Sequence, residues 1–138
     1  MARFALGIDV GTTGVKGVLI EPGGSQVAEA YAPHDLRSPY PGWSEEDPAD
    51  WWLGVVSVCR QLLAGRDPKE VAAVGCSGMV PAIVLLDEGG NPLRPAILQN
   101  DARAVEEIEW LRQNLDQEQL FARTGGYTNQ QHVGPRLM

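Results

Sequence analysis

The 138-residue chain predicts an α/β domain that opens as an antiparallel β-meander and continues into a mixed sheet with flanking helices. Three observations predict it. Two apolar runs, residues 4–10 and 15–20, flank the short turn Gly11-Thr12-Thr13-Gly14, which reads as a hairpin. A third, alternating run at 26–31 follows the turn EPGGS at 21–25. A helical pattern then leads into a further apolar strand at 71–76.

The remaining elements follow in order. Residues 32–47 form a Pro-rich loop, APHDLRSPYPGWSEED. Asp47-Pro48 reads as an N-cap followed by proline at the first helical position, so a helix runs from 48 to 64 and stops at Gly65. Trp51, Trp52, Val55, Val56, Cys59 and Leu62 supply its apolar stripe. The acidic run Glu45-Glu46-Asp47 reads as a solvated helix start that suits the helix dipole. Residues 83–86 read as a strand closed by the turn DEGGNP. Helices follow at 101–113 and 116–123, the second ended by Gly125-Gly126. Pro135 begins one more helical turn, which Arg136, Leu137 and Met138 continue; the sequence therefore reads as the front part of a longer protein.

Composition narrows the function. Hydrophobic residues make up 43% and charged residues 21%, the balance of a globular protein. A net charge of −7 argues against a nucleic-acid surface. No apolar run approaches the roughly 20 residues that span a bilayer, and no signal-peptide pattern is present. Cys59 and Cys76 are too few for a disulfide scaffold and lack metal-ligand spacing, so both read as buried thiols of a cytoplasmic protein. Trp43, Trp51 and Trp52 read as packing residues, and His34 and His132 as surface histidines.

The chemistry concentrates at residues 7–20, GIDVGTTGVKGVLI. A turn of Gly and Thr brings backbone N–H groups and hydroxyls close to phosphate oxygens. Asp9, at the end of the first strand, can hold a hydrated Mg²⁺, which binds through one or two carboxylates plus phosphate oxygens. Lys16 can add positive charge near a phosphoryl group. The same residues also read as a plain hairpin with an exposed acid and base. Neither a doubly wound dinucleotide pattern nor GxxxxGK[ST] is present, because a strand follows the glycines.

Asp9-Val10-Gly11-Thr12-Thr13 with Lys16 resembles the first phosphate motif of the actin-like ATPase superfamily. Three further stretches resemble one branch of it, the FGGY carbohydrate kinases, which include xylulose, glycerol and gluconate kinases. They are GWSEEDPADWW (42–52), VAAVGCSGMVPAIVLLDEGGNPLRPAILQNDARA (71–104) and LFARTGGYTNQQHVGPRLM (120–138). The resemblance covers nearly the whole chain in the family's order.

It implies a ribonuclease-H-like fold, with this chain as the N-terminal portion of the first of two domains. It implies transfer of the γ-phosphoryl group of ATP, with Mg²⁺, to a sugar or polyol hydroxyl. Asp9 would associate with the metal, and Gly11, Thr12, Thr13 and Lys16 would border the ATP phosphates. Ser77, Gly78, Met79, Val80, Gln99 and Asp101 would fall in the sugar pocket. Two departures stand out. Met79-Val80-Pro81-Ala82 lacks the Gln and His that xylulose kinases carry there, and Gln99 stands where Trp is common. Met79 and Val80 also read as an apolar turn, Asp101 also as a helix N-cap, and Arg103 as an ion-pair partner. The family's catalytic aspartate and its adenosine-binding domain lie beyond Met138, so no residue here matches the base. Family members are often dimers, which makes a homodimer an expectation for the full-length protein. A non-catalytic actin-like module that binds a nucleotide, a sugar or a partner protein is the alternative; the segment LQNDAR argues against a pure scaffold.

Overall fold

The computed structural model describes residues 3–138. In chain order the elements are β1 (Phe4–Val10), β2 (Gly14–Ile20), β3 (Gln26–Pro33), β4 (Glu45–Glu46), α1 (Pro48–Leu62), β5 (Val71–Gly78), β6 (Ala96–Ile97), α2 (Val105–Asn114), α3 (Gln117–Thr124) and α4 (Val133–Leu137). They form two compact units. The first runs through Leu36 and resumes from Asp47 to Met79; the second comprises Arg37–Glu46 and Val80–Met138.

The first unit is a four-stranded sheet in the order β3-β2-β1-β5. The meander pairs antiparallel, as its two turns require, while β5 joins β1 in parallel. α1 covers one face. Asp47 caps it by accepting a hydrogen bond from the Ala49 N–H at 2.9 Å, and Pro48 occupies its first turn. The helix ends at Leu62, short of the expected residue 64.

Its buried residues are Gly54, Val58 and Leu62, packed on Leu6, Ile8, Val15 and Leu19 of the sheet. This stripe is shifted from the expected one. Trp52 is 68% exposed, because glycine rather than an aromatic residue faces the sheet. Gly17 and Gly54 set the close approach. A Cβ on Gly17 would lie 2.3 Å from Val58 Cγ1, and one on Gly54 2.7 Å from Val15 Cγ2. Gly17→Ala is therefore expected to destabilise the unit by about 1–3 kcal/mol through overpacking. A lowered urea midpoint is the readout; a wild-type midpoint would mean that the helix rides further from the sheet.

Cys59 is half-buried and Cys76 exposed, so the expectation of two buried thiols fails for Cys76. It fails because β5 ends the sheet and is exposed over residues 72–78.

In the second unit, β4 pairs antiparallel with β6. Its core is Ile83, Ala96, Ile97, Leu98, Ala104 and Ile108. Residues 83–86 are not a strand; Ile83 and Leu86 make only single bridges, to Ile97 and Pro92. The acidic run is not a solvated helix start either. Glu45 and Glu46 form β4 and are 6% and 0% exposed, since Glu45 meets arginines. α2 begins at Val105 rather than 101, so Asp101 is not its N-cap. α3 runs one residue later than the expected 116–123: Asp116 lies outside it and caps it by accepting from the N–H groups of Glu118 and Gln119, and Gly125 ends it at φ 77°, as expected. His34 and His132 are half-buried rather than on the surface.

Candidate phosphate-contacting site

Strand register builds the site. Tyr31 of β3 lies opposite Lys16 of β2, Lys16 opposite Asp9 of β1, and Asp9 beside Ser77 of β5. Directly paired residues share a sheet face. Their neighbours Ile8 and Val15 point into the α1 core, so this row projects from the opposite face. Asp9, Lys16, Tyr31 and Ser77 are all exposed there. A depression of about 360 Å³ on this face is lined by Gly7, Asp9, Lys16, Val18, Gly75 and Ser77, among others.

The Gly-Thr turn sits at the end of this row. It closes with a 3.1 Å hydrogen bond from the Gly11 N–H to the Gly14 carbonyl. A Cβ on Gly11 would lie 3.4 Å from that carbonyl oxygen and 3.7 Å from Asp9 Oδ2, so the carboxylate lies next to the turn. The Thr13 carbonyl accepts from the Tyr31 hydroxyl at 2.5 Å and from the His34 N–H at 3.3 Å. After β5, the Met79 N–H donates to the Val10 carbonyl at 3.0 Å, and a Cβ on Gly78 would be 3.2 Å from that same oxygen. Gly78 thus serves close backbone approach beside the turn. A carboxylate, an ammonium group and two threonine hydroxyls at one sheet end are groups with the chemistry to contact a metal-bound polyphosphate.

The predicted residues divide between the units. Asp9, Gly11, Thr12, Thr13, Lys16, Ser77, Gly78 and Met79 belong to the first; Val80, Gln99 and Asp101 belong to the second. Val80 is exposed and Gln99 half-buried. Asp101 is 1% exposed. Its Oδ1 accepts from the Arg103 N–H at 3.0 Å and Nε at 2.8 Å; its Oδ2 accepts from the Ser44 N–H and Arg103 Nη2, both at 2.7 Å. Burial opposes ionisation of Asp101, but the Arg103 and Ser44 donors hold its carboxyl below the usual carboxylate range. Arg103 Nη2 also reaches Glu45 at 2.8 Å, and Glu45 pairs with Arg94. The guanidinium of Arg103 lies 3.7 Å from the centre of the Trp43 ring. Trp43 is thus a stacking platform for a cation, not only a packing residue.

Four residues in these arrangements carry no sequence signal of their role: Tyr31, Glu45, Arg94 and Arg136. Arg136 is buried and donates to the Leu98 and Gln131 carbonyls, each at 2.6 Å. Burial pushes its pKa down. Among the described residues, no group of three or more His, Cys, Asp or Glu side chains gathers as a metal cage. Asp9 is nonetheless a fit donor for Mg²⁺, which takes few protein ligands when phosphate and water supply the rest.

A three-stranded meander with a parallel strand added to β1, and a Gly-Thr turn beside a carboxylate, define an actin-like ATPase domain. More closely, the chain belongs to the FGGY family of carbohydrate kinases: residues 4–138 match the model of that family's N-terminal domain. It is similar to the crystal structure of xylulose kinase from Rhodospirillum rubrum, with a TM-score of 0.92 and 40% identity over 98% of this chain and 28% of that one. It is 35% identical to xylulose kinase of Klebsiella pneumoniae over 96% of its own length and 27% of the relative. A glycerol kinase of Halobacterium salinarum is 34% identical over 86% of this chain and 24% of the relative. The chain therefore spans about 27% of the length of such relatives.

Proposed function

We propose that this chain is the nucleotide-phosphate side of an ATP-dependent sugar or polyol kinase whose remaining residues lie outside it. The observation that carries this reading is the aligned row of Lys16, Asp9 and Ser77 beside the Gly-Thr turn, in a chain of the FGGY family. In the reaction, the acceptor hydroxyl oxygen bonds to the γ-phosphorus while the bond from that phosphorus to the β,γ-bridging oxygen breaks. The hydroxyl proton passes to a base that none of the matched residues here supplies. Gly11, Thr12 and Thr13 border the phosphates, the two threonines through N–H and hydroxyl donors, and Lys16 offsets the phosphate charge. Asp9 would hold Mg²⁺, and the bound ion would supply charge neutralisation on the phosphate oxygens. Ser77, Gly78 and Met79, at the end of β5 in the first unit, contribute to the acceptor side. The work is positioning and electrostatic stabilisation.

The test is Mg-ATP-dependent ADP release by a protein of the relatives' length, assayed with a panel of ketopentoses, polyols and sugar acids. Turnover with one acceptor is the expected result. The isolated 138 residues are expected to show none, and acceptor-dependent ADP release by them would overturn the assignment of the base to another part of the protein.

A further inference from the structure

We infer that Tyr31, on β3 and outside every motif of the family resemblance, is the positioning residue of the phosphate-contacting turn. This rests on the kinase reading for its consequence, but the geometry behind it does not. Two independent contacts fix the turn from one side chain. The hydroxyl donates to the Thr13 carbonyl at 2.5 Å and lies 3.5 Å from Thr13 Oγ1. The ring covers Gly14 so closely that a Cβ there would be 2.6 Å from both Cε2 and Cζ.

A peptide group is planar, so holding the Thr13 carbonyl also sets the direction of the Gly14 N–H. The neighbouring hydroxyl of Thr13 is held near the same point. The turn has no buried side chain of its own to set its shape: Gly11 and Thr12 are half-buried and Thr13 is exposed. Its internal constraint is the single Gly11–Gly14 hydrogen bond, supplemented by the His34 N–H on the Thr13 carbonyl. Tyr31 is 45% exposed, more than a core anchor would be. It stands in register with Lys16, so it flanks the row that ends at Asp9 and Ser77. The turn donors are thereby preorganised, which favours binding by reducing the ordering that the nucleotide must impose.

Tyr31→Phe removes the hydroxyl and keeps the ring. In a protein of the relatives' length it is expected to raise KM for ATP up to about tenfold, the upper end of the effect of losing one neutral hydrogen bond. KM for the acceptor should stay within about twofold, and the melting temperature close to wild type. Amide exchange at residues 11–14, measured without nucleotide, should become faster. That exchange readout separates the two readings. Wild-type protein that binds no Mg-ATP by calorimetry would sink the kinase reading. Unchanged exchange at 11–14 in Tyr31→Phe would sink the positioning role alone, and so would an equal rise in both KM values.

Discussion

Asp101→Ala lowers the stability of the second unit by about 3–5 kcal/mol, the usual result of removing one partner from a buried charged network. The carboxylate is fully enclosed and all four of its acceptor positions are engaged. Its loss strands the Ser44 N–H and leaves the Arg103 guanidinium facing Glu45 alone. Asp101→Asn should cost less, since the amide oxygen still accepts. Urea unfolding, with exchange at the Ser44 and Arg103 amides as a local probe, measures both. The pH dependence has a definite sign. A carboxyl whose folded pKa is depressed contributes stability above its unfolded value of about 3.9 and loses it as pH falls through the folded value. The wild type should thus lose stability in acid more steeply than Asp101→Asn. The variant also separates two roles. A direct hydroxyl ligand would lose acceptor affinity at unchanged stability, whereas a filled carboxylate loses stability first. An Asp101→Ala protein with the wild-type urea midpoint would overturn the network role and favour the ligand.

Asp9→Asn is expected to reduce kcat about 10²–10³-fold in a protein of the relatives' length, comparable with the loss of one preorganised electrostatic contact at a reacting centre. Asparagine keeps the shape and removes the charge with which the carboxylate would hold Mg²⁺ in the proposed site. Asp9 is exposed at a strand end, so the melting temperature should not follow. A variant that retains full turnover would remove the carboxylate from the proposed metal site. A variant that fails to fold would show that Asp9 holds the hairpin instead.

Local signals were the legible part of this fold. The β1–β2 hairpin announces itself through four small residues between apolar runs, α1 through Asp47-Pro48, and the end of α3 through Gly125. Each is determined by neighbours a few residues away. The second unit depends on partners far apart in sequence. β4 and β6 have two residues each, and they become strands only because Glu45 finds Ile97 across about fifty residues. No window of sequence contains that pairing. Glu45 and Glu46 misled for the same reason: an acidic pair reads as solvated until Arg94 and Arg103 are brought to it. The α1 stripe was misplaced because glycine carries no hydrophobic signal, although Gly17 and Gly54 decide how closely helix and sheet meet. At the candidate site, the chain positions of Asp9, the turn and Lys16 were legible. Their arrangement with Ser77 and Tyr31 required the register.

The shared guanidinium of Arg103 has a consequence for how this sequence can change over generations. It serves Asp101, Glu45 and the Trp43 ring together. A substitution at any one of these positions alters the environment of the others, so their effects do not add. A lineage that swaps one member passes through a weakened intermediate, while a coordinated exchange for apolar residues of similar volume can restore the fold. Trp43, Glu45, Asp101 and Arg103 are thus free to drift only as a group. Exposed positions such as Leu93 can vary one at a time.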